Sequence, residues 1–102
     1  MIQWILETIQ EAAARWDVSA WALERTLRCE SMNYSWAVIT GQRLGLAGEK
    51  GIAQLHPQGM LPVFYAMGYD TPYSVWQAVD FVARMFAAGE AHQWTCYRML
   101  GI

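Results

Sequence analysis

The feature that most constrains the fold is the spacing of apolar side chains in the segment from residue 75 to residue 86. Apolar residues recur there three and four positions apart: Val75, Ala78, Val79, Val82, Ala83 and Phe86. This spacing places them on one side of an α-helix. Ser74, followed three residues later by Gln77, has the form of a capping box. We therefore predict a central core helix that opens at Ser74 and runs to Gly89.

Weaker versions of the same pattern predict four further helices, over residues 2–16, 20–31, 60–67 and 93–100. Ser19 is a good N-cap for the second of these helices, and Gly101 is a natural stop for the last. Between residues 32 and 50 the periodicity is lost, and residues 51–55 are predicted to be a short strand or extended run. We expect a mainly α single domain, 1–102, of about five helices, with an irregular or hairpin excursion between helices two and three.

Composition excludes several classes of protein. Hydrophobic residues make up 55% of the chain and charged residues 16%, so a disordered chain is excluded. The net charge of −2 and the absence of a Lys/Arg cluster argue against a nucleic-acid partner. No apolar run is long enough to span a membrane, so an integral membrane protein is not expected. The first residues lack the basic segment of a secretory signal. We expect a monomer.

One carboxylate lies on an apolar helix face. Leu23, Leu27 and Glu30 are four and seven positions apart, so they share one side of the helix 20–31. Burial raises the pKa of a carboxyl group, and a raised pKa suits a general acid. Position alone leaves an alternative open, in which this glutamate pairs with an arginine. The candidate arginines are Arg28, Arg84 and Arg98.

Two motifs in order carry a family resemblance. Glu30-Ser31 ends a helix, and a stretch from Gly48 to Pro57 follows, with Gly51-Ile52-Ala53-Gln54 at its centre. This arrangement, with the helices around it, resembles the lysozyme-like superfamily and in particular the soluble lytic transglycosylase domain. The resemblance implies a lysozyme-like fold, Glu30 as the single catalytic acid, Gly51 as a structural residue and Gln54 as part of a sugar cleft. The chain departs from the family in having Met32-Asn33-Tyr34 after Glu-Ser, and Ile52-Ala53 before the glutamine.

Glu49 creates a second mechanistic possibility. Animal-type lysozymes resemble this loop too, with a second carboxylate two residues before the same glycine, which is the position of Glu49. If Glu49 faces the cleft, it stabilises an oxocarbenium ion or acts as nucleophile, and hydrolysis follows. The alternative is a solvated loop glutamate beside Lys50. In that case Glu30 acts alone, and the resemblance implies a 1,6-anhydro product.

Other residues are assigned supporting roles. Gln54 is expected either to bind a sugar group or to tie down its own loop. Ser31, Tyr34 and Tyr97 are candidate substrate-binding residues, although Ser31 suits holding the loop or orienting Glu30 better than nucleophilic attack. Tyr97 is the candidate for the tyrosine that the family carries near its C-terminal helix.

The remaining candidates concern cysteine and histidine. Cys29 and Cys96 are predicted to form a disulfide, with two reduced thiols as the alternative. We favour the bridge because Cys29 directly precedes Glu30. His56 and His92 have no zinc-ligand spacing and are interpreted as ordinary surface or helix-end residues. Neither a metal nor a cofactor is expected.

The resemblance thus implies an enzyme that cleaves peptidoglycan glycan strands between N-acetylmuramic acid and N-acetylglucosamine. A lytic transglycosylase is favoured, and a lysozyme-type hydrolase using Glu30 and Glu49 is the alternative. Two further classes stay open: a non-catalytic glycan-binding or structural virion module, and a small helical domain with an aromatic binding surface. Action on the cell wall without a signal peptide suggests a phage-encoded protein, carried on the virion or released as an endolysin by a holin.

Overall fold

The apolar stripes fold into six α-helices and one 3₁₀ turn in the computed structural model, which describes residues 2–102. The helices are α1 (Gln3–Trp16), α2 (Ala20–Glu30), α3 (Trp36–Ile39), α4 (Met60–Ala66), α5 (Val75–Ala87) and α6 (Thr95–Leu100), and the 3₁₀ turn is Ala91–Gln93. Ser19 and Ser74 cap α2 and α5 by accepting hydrogen bonds from Ala22 and Gln77. The mainly α prediction is confirmed.

Two local predictions need adjustment. The short helix α3 falls within the segment predicted to be irregular, because four residues are too few to show a period. The predicted last helix, 93–100, divides at Trp94, whose extended backbone separates the 3₁₀ turn from α6.

The core forms where α5 packs against α1, and α2 packs against both α1 and α6. Phe64, Phe81 and Ile9 are among the largest side chains in it. Asp80, buried within α5, accepts hydrogen bonds from Arg15 Nε, Trp16 Nε1 and Tyr69 Oη at 2.6–2.8 Å. Burial opposes the charge of Asp80, but these donors outweigh it and hold its pKa below the ordinary value. A carboxylate thus fastens α1 to α5.

The prediction of a short strand or extended run at residues 51–55 is wrong, because no strand forms among residues 2–102. Lys50 and Leu55 exchange two backbone hydrogen bonds as an isolated antiparallel pair. The residues between them curl into a turn, with Gly51 at φ +77° and Gln54 at φ +49°. Both values lie in the left-handed region, which an extended strand does not visit.

None of the helices within residues 2–102 combines the length and the apolar character that a membrane crossing requires.

Candidate active site

A pocket of about 240 Å³ opens where the end of α2, the turns before α4 and the start of α6 meet. Three residues singled out from the sequence line it, namely Glu30, Glu49 and Gln54. The other lining residues are His56, Gly59, Met60, Gln93, Trp94 and Thr95. Residues that are far apart in the chain therefore bring two carboxyl groups and several neutral polar groups to one concave site.

Glu30 is the last residue of α2 and lies one and two helical turns beyond the fully buried Leu27 and Leu23. Its Oε2 atom accepts a hydrogen bond from the backbone N–H of Cys96, with an N–O distance of 3.0 Å. Cys96 is in the first turn of α6, where backbone N–H groups have no partner within the helix. This is the one hydrogen bond of the Glu30 side chain within residues 2–102, which leaves Oε1 available to a ligand.

The environment of Glu30 favours its protonated form. Burial is the largest influence and raises the pKa of Glu30 above its ordinary value. The Cys96 N–H lowers this pKa in part, and the nearby charge of Glu49 raises it again. The positive charge of the Arg98 guanidinium lowers this pKa and is the smallest of the four influences. Glu30 is thus a carboxyl group that keeps its proton to higher pH than a solvated glutamate, as a general acid requires.

The alternative of a Glu30–arginine pair is not observed among residues 2–102. Arg28 forms an ion pair with Glu24 at 2.9 Å, and Arg84 stacks over the ring of Trp16. Arg98 donates to the carbonyl oxygen of His92 and to the hydroxyl of Thr95. Each candidate arginine is therefore engaged elsewhere.

Glu49 and Gln54 converge beside Gly45. A methyl group on Gly45 would lie 2.5 Å from Glu49 Oε1 and 2.6 Å from Gln54 Oε1, so a larger residue there would displace both side-chain ends. Glu49 Oε1 accepts a hydrogen bond from the backbone N–H of Ala47 at 2.8 Å. Gln54 Nε2 donates to the carbonyl oxygen of Gly51 at 3.0 Å, while its side chain also lines the pocket. The two roles weighed for Gln54 are thus compatible, because it ties down its loop and faces the pocket.

The opposite wall is the segment that runs from the 3₁₀ turn into α6. Trp94 is buried, and its indole N–H donates to the carbonyl oxygen of Ala53 at 3.0 Å. A disulfide joins Cys96 to Cys29, with a Cα–Cα distance of 5.9 Å. Both contacts hold this wall against the elements that carry Glu30 and Gln54.

Three predicted substrate-binding residues, Ser31, Tyr34 and Tyr97, are not among the residues that line this pocket. Ser31 is fully buried, and its Oγ accepts the Tyr34 N–H at 2.9 Å, so it holds the turn after α2. Tyr34 is also buried, and its hydroxyl donates to Glu24 Oε2 at 2.7 Å. Tyr97 is partly buried, and its ring packs edge-on against Phe86 at the margin of the core. Their sequence positions near a loop or helix end do not predict that these side chains pack against the protein instead of facing the pocket.

His56 lines the pocket, whereas its sequence context predicts an ordinary surface or helix-end residue. Its Nδ1 atom accepts the backbone N–H of Gln58 at 3.0 Å, so a neutral ring carries its proton on Nε2. The ring can then offer a donor to a ligand. The only sequence signal was its place two residues after Gln54, inside the same turn region.

No group of three His, Cys, Asp or Glu side chains within residues 2–102 is arranged to hold a metal ion. Comparisons of the chain with protein-family models, with curated proteins and with solved structures found no match. A functional assignment therefore depends on the pocket itself and on the residues that line it.

Proposed function

We propose that the chain is a peptidoglycan-cleaving glycosidase whose general acid is Glu30. Its target is the β-1,4 bond between N-acetylmuramic acid and N-acetylglucosamine, and a lytic transglycosylase is the favoured form. The observation that carries the proposal is a half-buried carboxyl group with a raised pKa and one unengaged oxygen, facing a pocket beside a second carboxylate. The order of the Glu30-Ser31 and Gly51-to-Gln54 motifs adds support from the sequence.

In this mechanism the protonated Glu30 donates its proton to the glycosidic oxygen, and the bond to the anomeric carbon breaks. The resulting carboxylate then takes the proton from the 6-hydroxyl of the muramic acid residue, whose oxygen attacks the anomeric carbon. The product is a 1,6-anhydro sugar, and Glu30 is protonated again. In this route Glu30 acts alone, and Glu49, which also lines the pocket, takes no part in the bond-breaking or bond-forming steps.

The composition of the pocket suits a neutral polyhydroxylated ligand. Apart from the two carboxyl groups, its polar side chains are the amides of Gln54 and Gln93, the imidazole of His56 and the hydroxyl of Thr95. These groups donate and accept hydrogen bonds, as sugar hydroxyl and N-acetyl groups do. No lysine or arginine is among the lining residues, so nothing in the pocket favours a phosphorylated ligand.

A lysozyme-type hydrolase is the second candidate, and the placement of Glu49 in the pocket favours it. In that mechanism Glu49 stabilises or attacks the anomeric carbon, and water completes the reaction. In both cases the protein acts at the cell wall, and a phage route to that site is part of the proposal.

Digestion of purified peptidoglycan, followed by mass spectrometry of the products, tests the proposal. We expect the wild-type protein to release anhydro-muramic ends, and Glu30→Gln to reduce the rate by at least about a hundredfold. Glu11→Gln, on the exposed side of α1, is the matched control and should retain full rate. Reducing ends would favour the hydrolase. Wild-type rates from Glu30→Gln would overturn the role of Glu30, and glycan binding without cleavage would favour a non-catalytic module.

A further inference from the structure

The disulfide and the hydrogen bond to Glu30 share their residues. Cys29 directly precedes Glu30 at the end of α2, and its disulfide partner Cys96 donates the backbone N–H that Glu30 Oε2 accepts. The disulfide thus joins Cys29, the residue next to the hydrogen-bond acceptor Glu30, to Cys96, the hydrogen-bond donor. Any change in the separation of α2 and α6 at this point changes the hydrogen bond directly.

The wall that contains Cys96 has little intrinsic stability. The helix α6 contains six residues, fewer than an isolated helix needs, so tertiary contacts must hold it. Besides the disulfide, several contacts hold it in place. They include the packing of α6 against α2, the hydrogen bond from the Trp94 indole to Ala53 O and the packing of Tyr97 against Phe86. These contacts remain when the disulfide is broken, so we expect the wall to stay associated while its exact distance from α2 is released.

The disulfide is open to exchange at one end. Cys29 is an exposed residue, whereas Cys96 is buried with 8% of its surface accessible. A thiolate from solvent therefore reaches Cys29 more readily, and exchange rates depend on such access.

We infer that the Cys29–Cys96 disulfide is a positioning element for Glu30, and that its reduction slows the chemistry of the pocket while the fold persists. A dithiol is the reductant. One of its thiolates attacks Cys29 Sγ, and Cys96 leaves as a thiolate. The second thiolate then attacks the reductant's sulfur in the mixed disulfide, Cys29 leaves as a thiolate, and the reductant closes into a disulfide. Two electrons and two protons pass from the dithiol to the two cysteines. The part of the inference that concerns the cleavage rate rests on the proposed function. The part that concerns the hydrogen bond between Cys96 and Glu30 does not.

The charged and titratable groups around Glu30 determine what reduction changes. Glu49 faces it from the turn before Gly51, Arg98 acts on it from α6, and His56 lines the same pocket. Glu49 and His56 are not attached to α6, so they keep their places. The Cys96 N–H and the Arg98 guanidinium both belong to α6, so both lose their fixed relation to the carboxyl group when the cross-link opens.

The structural measurement follows the Cys96 amide by NMR during a pH titration. In the oxidised protein this amide signal should titrate together with the Glu30 carboxyl group, because the two are hydrogen-bonded. After reduction with dithiothreitol, the amide should cease to follow Glu30 and its hydrogen exchange should accelerate. Circular dichroism should report an unchanged helix content.

The rate measurement uses peptidoglycan cleavage by the same samples. Reduction should lower the cleavage rate at saturating substrate by about tenfold or more, as expected for a small displacement of a catalytic group. The pH profile should change as well, which a merely stabilising cross-link would not cause. Cys29→Ser/Cys96→Ser, which cannot form the bridge, should show the low rate with or without dithiothreitol.

Two results would overturn the inference. One is a reduced protein whose Cys96 amide still follows Glu30 and whose rate is unchanged. The other is loss of helix content on reduction, which would make the bridge a general staple. If the oxidised protein cleaves no peptidoglycan, the proposed function fails, while the amide titration still decides the role of the disulfide.

Discussion

The α-carbon of Gly51 lies directly against the backbone carbonyl oxygen of Pro72. A methyl group on Gly51 would overlap this oxygen, and the residue also has φ +77°, in the left-handed region. This contact fixes the turn that carries Gln54 against the segment before α5. The resemblance implied a structural role for Gly51, and the contact gives that role a physical basis.

Gly51→Ala should therefore be strongly destabilising. The left-handed backbone costs about 1–2 kcal/mol for a residue with a side chain, and the overlap adds about 1–3 kcal/mol. Gly68→Ala is the matched control, because Gly68 has φ +96° but no atom within 4 Å of the added methyl group. Urea unfolding of both variants separates the two contributions. Equal losses in the two variants would mean that Pro72 does not restrict the site.

Glu30→Gln should change how stability depends on pH. The pKa of Glu30 in the fold lies above its ordinary value of 4.5, so the folded protein holds a proton that the unfolded chain releases. The stability contribution is therefore complete below about pH 4.5 and is lost as pH rises through the folded pKa. Glutamine keeps an acceptor for the Cys96 N–H and cannot ionise.

We accordingly expect Glu30→Gln to gain stability relative to the wild type between pH 4 and pH 7. Urea unfolding at these two pH values measures the gain, and Glu11→Gln provides the comparison at an exposed position. A difference between Glu30→Gln and wild type that does not vary with pH would contradict the raised pKa.

Glu49→Gln should lower the pKa of Glu30. The carboxylate of Glu49 raises that pKa through its negative charge, and glutamine removes the charge while preserving the shape. An NMR titration of the Glu30 carboxyl carbon measures the change directly. The alkaline limb of the proposed cleavage reaction should move to lower pH in the same variant. A Glu30 titration identical to that of the wild type would show that the two carboxyl groups do not interact.

Trp94→Phe should destabilise the protein although the ring stacking is conserved. Phenylalanine preserves the packing on Phe81 and Phe86 but leaves the buried carbonyl oxygen of Ala53 without its donor. An unsatisfied buried acceptor costs about 1–3 kcal/mol. Trp21→Phe, at an exposed position on α2, should change stability by less than about 0.5 kcal/mol. Thermal unfolding of the two variants makes the comparison.

Helix periodicity predicts most of this fold because the long helices bury a continuous stripe. The apolar positions of 75–86 and the cap at Ser74 locate α5 to within a few residues. The same argument fails for α3, which has one turn, and for residues 51–55, where left-handed backbone at Gly51 and Gln54 replaces a strand. At Gly51 the backbone also lies against Pro72, a neighbour that is distant in sequence.

The residues of the candidate site also fall into two groups, those that a local sequence pattern predicts and those that tertiary packing brings to the pocket. Glu30 was predictable because it continues the stripe of Leu23 and Leu27, and Gln54 because its motif is local. Trp94 and Thr95 line the pocket, and Tyr34 is buried away from it, because of tertiary packing. The spacing of residues within one segment does not predict such packing. His56 belongs to this second group, since its entry into the pocket depends on the path of the turn.

The disulfide also determines how the molecule responds to a cut in its backbone. The bridge closes a covalent ring from Cys29 to Cys96, and every residue that lines the pocket lies within that ring, while α1 lies outside it. The turn around Leu46, which is fully exposed, is the natural place for a protease to cleave. A single cleavage there opens the ring but leaves both fragments attached to each other. The two sides of the pocket then remain parts of one covalent molecule. The same cleavage in a chain without the disulfide would leave two fragments with no covalent link.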